Sequence, residues 1–163
     1  MHNTYFAPRC LEAPVEFVQR VRKTELARNT HRVINAVLRG QTAVVESHGQ
    51  PEVAIIDIAD YRILRAVMRY YAQQPEIDIE AGISNQEVEA ISDPQGRFNL
   101  VLGHYLAGAI SLARAAELLD LSWLDLRTRC LRLDVPLRTA PTNLAEAKAD
   151  IKVAGAWAPK PQA

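Results

Sequence analysis

The stretch Val44-Val45-Glu46-Ser47-His48-Gly49-Gln50-Pro51-Glu52-Val53-Ala54-Ile55-Ile56 decides how this chain is read. A glutamate, a serine and a histidine in a row invite a catalytic interpretation. The flanking residues point elsewhere. Thr42–Ser47 and Glu52–Asp57 are β-prone runs, and His48-Gly49-Gln50-Pro51 between them is turn chemistry, so the segment predicts a hairpin. Gly49 tolerates positive φ, and Pro51, which cannot donate a ladder hydrogen bond, suits a strand's first residue. Side chains alternate along a strand, so Glu46 and Ser47 point to opposite faces and do not converge on one reacting atom.

Working outward, Glu16–Arg22 predicts a strand and Thr24 an N-cap, with Glu25 in the first helical turn where an anion is favoured. Leu26, Thr30, Val33, Ile34, Val37 and Leu38 then share one helical face, opposite Arg28, His31, Arg32 and Asn35, until Gly40 stops the helix. Beyond the hairpin, Asp57 and Asp60 have the spacing of a capping box, and the following helix carries Tyr61, Leu64, Met68 and Tyr71 as an apolar stripe. That stripe is expected to be module core or an interface, with a second copy of the chain or with another protein.

Residues 73–97 read as an acidic linker with weak helical character over Gln86–Ile91. A helix bearing Phe98, Val101, Leu102, Tyr105 and Leu106 follows, ended by Gly108. Ser111 caps a short helix, Asp120-Leu121-Ser122 makes a tight turn, and Ser122 with Asp125 opens a second helix lined by Leu126, Cys130 and Leu133. This is a helix-turn-helix pattern. A further helix is expected over Asn143–Val153. The expected organisation is an irregular arm (1–15), a strand-helix-hairpin-helix dimerising module (16–72), the linker, an all-α helix-turn-helix module (98–153) and a flexible tail (154–163). The fold class is α+β.

Composition narrows the function. The 163 residues carry no net charge, but residues 1–72 sum to +3, 73–97 to −5 and 98–163 to +2. Two mildly basic modules flanking an acidic connector argue against indiscriminate nucleic-acid binding while leaving room for a local phosphate-contacting face. No apolar run reaches the ~18 residues of a membrane span, and the N-terminus lacks a basic-then-apolar signal pattern. Cys10 and Cys130 lie far apart without a CxxC pair, which predicts reduced thiols and a cytoplasmic protein. His2, His31, His48 and His104 are scattered, so no metal is expected, and the seven glycines form no phosphate-cradling loop. No cofactor or catalytic residue is expected, and the chain does not read as an enzyme.

Several of these segments together resemble the Phd/YefM antitoxin family. They are Lys23-Thr24-Glu25-Leu26-Ala27-Arg28-Asn29, Leu38-Arg39-Gly40-Gln41, the hairpin itself and Tyr61, and the resemblance covers residues 16–72. It implies a homodimer that grips operator DNA and a following segment that occupies a toxin. Carried over residue by residue, the DNA-facing positions are Arg22, Lys23, Thr24, Arg28, Asn29 and Arg32. Free N–H groups at a helix N-terminus suit a phosphate, and Arg28, Asn29 and Arg32 share an exposed side. Residues 98–153 are similar to a small prokaryotic helix-turn-helix family that looks like antitoxins of PIN-domain ribonucleases. Its second helix offers Arg127 and Arg129 to a DNA backbone, and Trp123 to a protein interface. The resemblances imply an antitoxin that neutralises a protein toxin encoded nearby and represses its own operon. The alternative is a stand-alone DNA-binding transcriptional regulator.

Overall fold

The computed structural model describes residues 18–138. The expected arm (1–15), the helix over Asn143–Val153 and the tail lie outside the described residues. The architecture is α+β, a three-stranded sheet followed by helices, and the chain divides into two compact units between Ile55 and Ile56.

The first unit comprises β1 (Val18–Arg22), α1 (Lys23–Arg28), α2 (Thr30–Leu38), β2 (Thr42–Ser47) and β3 (Gln50–Ile55). The strands lie in sequence order, with β1 parallel to β2 and β2 antiparallel to β3. Register places Val21 opposite Val45, and Ala43 opposite both Gln19 and Ile55. Alternation therefore gathers Val21, Ala43, Val45 and Ile55 on one face. Val21, Ala43, Val33 and Val37 form its buried core, with Leu26 and Ile55 packed against them.

Two local details differ from expectation. The helix expected to run unbroken from Thr24 is interrupted at Asn29 (φ −127°, ψ 34°), where the Thr30 hydroxyl donates to the Leu26 carbonyl at 2.7 Å. Side-chain hydrogen bonds of this kind compete with the helical ladder. The N-cap is Arg22, because β1 runs directly into α1, and Thr24 sits within the first turn. The hairpin is present, but its turn is two residues rather than four: His48 (φ 52°) and Gly49 (φ 76°) form the loop, and Gln50 and Pro51 belong to β3. Positive φ at both central residues is the mirror-image turn whose twist matches paired strands. A register shift beside Val45 and Glu46 leaves Glu52 as the extra residue of a bulge.

The second unit holds α3 (Ile58–Gln73), α4 (Asn85–Glu89), α5 (Pro94–Ala107), α6 (Leu112–Leu118) and α7 (Trp123–Arg132). α3 packs on α5 and is part of this helical unit, not of the hairpin module that was expected to extend to residue 72. Ile63 and Ala66 of α3 join Phe98, Val101, Leu102, Tyr105, Leu126 and Cys130 in one core. The linker reading of 73–97 is likewise corrected. Ser84 and Glu87 cap α4 reciprocally, Val88 is buried in the core, and Asp93 accepts from the Gln95 and Gly96 amides to start α5 at Pro94. Two of its acids, Glu87 and Asp93, are thus capping residues of an ordered segment. In the helix-turn-helix, Asp120 takes positive φ (55°), the conformation for which glycine is favoured.

A polar cluster inside this unit ties α7 to the start of α3. Asp57 caps α3 by accepting from the Ala59 amide at 2.7 Å. Arg129 Nη1 donates to Asp57 Oδ1 at 2.8 Å and to Asp60 Oδ1 at 2.7 Å, while its Nε donates to Asp125 Oδ2 at 3.1 Å. Arg132 Nη2 donates to Asp60 Oδ2 at 2.6 Å. Ser122 does cap α7 by accepting from the Asp125 amide. The carboxylates of Asp60 and Asp125, expected to complete capping boxes, go to arginines instead.

The Asp60 side chain is only 6% exposed, and its removal takes from Arg132 its carboxylate partner and from Arg129 one of three. Asp60→Ala is expected to cost about 3–5 kcal/mol in urea unfolding followed by circular dichroism. Cys130 provides a pH signature. Burial, and then the nearby Asp60 charge, push its thiol from the ordinary 9.0 up to about 11. The unfolded chain releases that proton first, so its contribution to stability is complete below pH 9.0 and is lost as pH rises through about 11. A Cys130→Ala variant is expected to show a flatter stability profile over that window.

Candidate nucleic-acid interface and exposed helix faces

In the first unit, the residues proposed from sequence are exposed and follow one another along the chain. Arg22 ends β1, Lys23 and Thr24 open α1, Arg28 closes it, Asn29 forms the joint, and Arg32 lies on α2. Among the described residues no side chain caps the first turn of α1. Three carboxylates pair with three of the unit's cations. Arg20 bridges to Glu46 at 2.6 Å, Lys23 to Glu52 at 2.5 Å, and Arg32 to Glu25. The Lys23 ammonium holds the Glu52 carboxyl below its usual range. Among the described residues of this unit, Arg22, Arg28 and Arg39 are the cations without an ion-pair partner. Arg22 stands opposite Glu46 in the ladder, yet that carboxylate is taken by Arg20.

Lys23 and Arg32 therefore keep their exposure but give up part of their charge to glutamates, whereas Arg22 and Arg28 keep theirs. Sequence reading passed over Arg20 and Arg39. Period-two alternation puts Arg20 on the same strand face as Arg22, and that signal was there to be used.

In the second unit the two arginines proposed for DNA contact separate. Arg129 is committed to the Asp57, Asp60 and Asp125 carboxylates, with its side chain 14% exposed. Burial opposes its charge, but hydrogen bonds to Asp60 and Asp125 and the fields of Asp57 and Asp60 outweigh that, so its pKa is raised. It is a structural cation, not one presented to a phosphate. Arg127 is exposed, its guanidinium 5.9 Å from the centre of the Trp123 ring. Trp123, Leu124 and Leu131 are all exposed, which gives α7 an apolar and cationic outer surface.

The stripe on α3 is also placed outward. Tyr61, Met68 and Tyr71 are exposed and Leu64 is half-buried, so the stripe does not fill the unit's core; the inward face is carried by Ile63 and Ala66. Ile58 extends the exposed apolar row at its start. Comparison with known families, with curated proteins and with solved structures finds no match to this chain.

The two arginines of α7 that sequence proposed for DNA contact, Arg127 and Arg129, are expected to behave differently on substitution. Arg129→Ala strands buried carboxylates and lowers the thermal midpoint clearly. Arg127→Ala stays within about 0.5 kcal/mol of wild type, as a surface change does. Differential scanning calorimetry of both variants checks this.

Proposed function

We propose that this chain is an antitoxin of a two-component toxin–antitoxin pair, with operator contact through the first unit and capture of a protein toxin through the second. The observation that carries the DNA half is the pairing pattern around β1 and α1. Three glutamates absorb three cations and leave Arg22 and Arg28 unpaired at the two ends of α1. Free guanidiniums at the ends of a short exposed helix suit phosphate contacts. The sequence likeness of residues 16–72 to the Phd/YefM antitoxins supports the same reading, and with it a homodimer as the form that binds a two-fold operator.

The partner half is supported by exposed apolar surface. The α3 row of Ile58, Tyr61, Met68 and Tyr71, and the α7 group of Trp123, Leu124 and Leu131, leave large side chains in solvent. Aromatic residues, methionine and arginine are the types enriched in protein interfaces. We assign the α3 row to the toxin or to a second copy of the chain, and Trp123 to the toxin, a PIN-domain ribonuclease in this reading. A cytoplasmic location fits such a system. A stand-alone regulator would use the same first unit without a toxin.

Co-expression with the neighbouring reading frame, followed by size-exclusion chromatography and an operator gel shift, tests both halves. A stable complex and a shifted operator are expected; a shift without a complex selects the stand-alone regulator, and neither result removes the proposal. Arg28→Ala is expected to weaken operator binding and reduce the slope of log affinity against log salt by about one. Unchanged affinity and slope would remove Arg28 from the interface.

A further inference from the structure

The outer face of α2 carries a feature that the operator contacts proposed above do not use. His31, Arg32, Asn35, Ala36, Arg39 and Gln41 line a shallow concavity of about 350 Å³. His31, Asn35 and Arg39 are spaced four apart, so one helix face presents an imidazole, an amide and a guanidinium in a row. Gln41 adds a second amide beyond Gly40. The Asn35 amide nitrogen lies 3.2 Å from His31 Nδ1, which groups the two side chains. Among the described residues no carboxylate lines the concavity, and Arg32 enters it with its guanidinium already held by Glu25. Arg39 is one of the three cations of this unit without an ion-pair partner among the described residues.

The position at the end of α2 would ordinarily disfavour an anion, because the last carbonyls of a helix point outward. Here those of Asn35, Ala36 and Val37 are occupied. The Arg39 amide donates to the Asn35 and Ala36 carbonyls at 3.2 Å, the Gly40 amide to Val37 at 2.9 Å, and the Gln41 amide to Ala36 at 3.1 Å. An oxyanion in the concavity meets side-chain donors and one uncommitted guanidinium in place of bare carbonyl oxygens. Two amides, an imidazole and an arginine fit the several oxygens of one tetrahedral phosphate.

We propose that this concavity is an oxyanion site that holds one phosphate of the DNA backbone, separate from the contacts at the ends of α1. Only the source of the phosphate rests on the operator reading; the chemistry of the site does not. In a repressor, such a contact fixes the position of the protein on the duplex without reading sequence.

The test has two arms on the full chain. In the first, inorganic phosphate is titrated into isotope-labelled protein at constant ionic strength, with chloride as control, and nuclear magnetic resonance follows the His31 ring and the Asn35 and Gln41 side-chain amides. A saturable response to phosphate, lost in Arg39→Gln and weakened in His31→Gln, is expected. A response no different from chloride, or unchanged in Arg39→Gln, overturns the site. In the second arm, duplex DNA of arbitrary sequence is bound over a range of salt, and Arg39→Gln is expected to reduce the salt slope by about one. A saturable phosphate response with an unchanged slope overturns the backbone assignment and points to a free phosphate compound. If the wild-type chain binds no duplex at all, the operator reading fails, and the first arm still decides the site. Circular dichroism of both variants confirms that any loss is not unfolding.

Discussion

The helical unit depends on a small ionic cluster. Asp57 stands at the N-cap of α3 and Asp60 in its first turn, and Arg129 and Arg132 reach them from α7 across about seventy residues of sequence. The four side chains are largely withdrawn from water, so each charge is tolerable only because the others are in place. Asp57 also caps α3, so one residue both starts the helix and anchors its far neighbour. Cys130, one residue from Arg129, lies in the core where this side of α7 is buried.

This arrangement decides what the two basic regions of the chain are available to do. α7 is rich in arginine, but Arg129 and Arg132 serve the cluster, and Arg127 lies over Trp123 on an exposed apolar surface. In the first unit, glutamate pairing leaves Arg22, Arg28 and Arg39 free to meet phosphates. A helix that resembles a DNA-reading element in pattern is thus spent on holding its unit together and on presenting apolar surface.

The fold was readable wherever local patterning and burial agreed. The hairpin followed from alternation and turn residues, the α5 stripe from helical periodicity, and the starts of α3, α6 and α7 from Asp57, Ser111 and Ser122 as caps. Non-local packing was not readable. Tyr61, Leu64, Met68 and Tyr71 make a convincing core stripe by spacing, yet Ile63 and Ala66 form the buried face because α5 lies on that side. An acidic, proline-bounded stretch resembles a linker until Val88 is seen in the core. The candidate site divided in the same way. Arg22, Arg28 and Arg32 were legible as exposed cations, but which of them a glutamate would neutralise depended on ladder register and on the break at Asn29. Arg129 was misassigned because its partners lie far away in sequence, where no local pattern points to them.

The chain divides after the sheet, and the aspartate–arginine cluster binds α3 to α7 in one cooperative unit. Native-state hydrogen exchange of the Arg132→Met variant tests this most directly. The amides of Ile63 and Ala66 in α3 and of Leu126 and Cys130 in α7 are expected to lose protection together, by the same free energy, while those of Val21 and Val45 in the sheet keep theirs. Loss of protection in α7 alone, or α3 amides that follow the sheet, would contradict it.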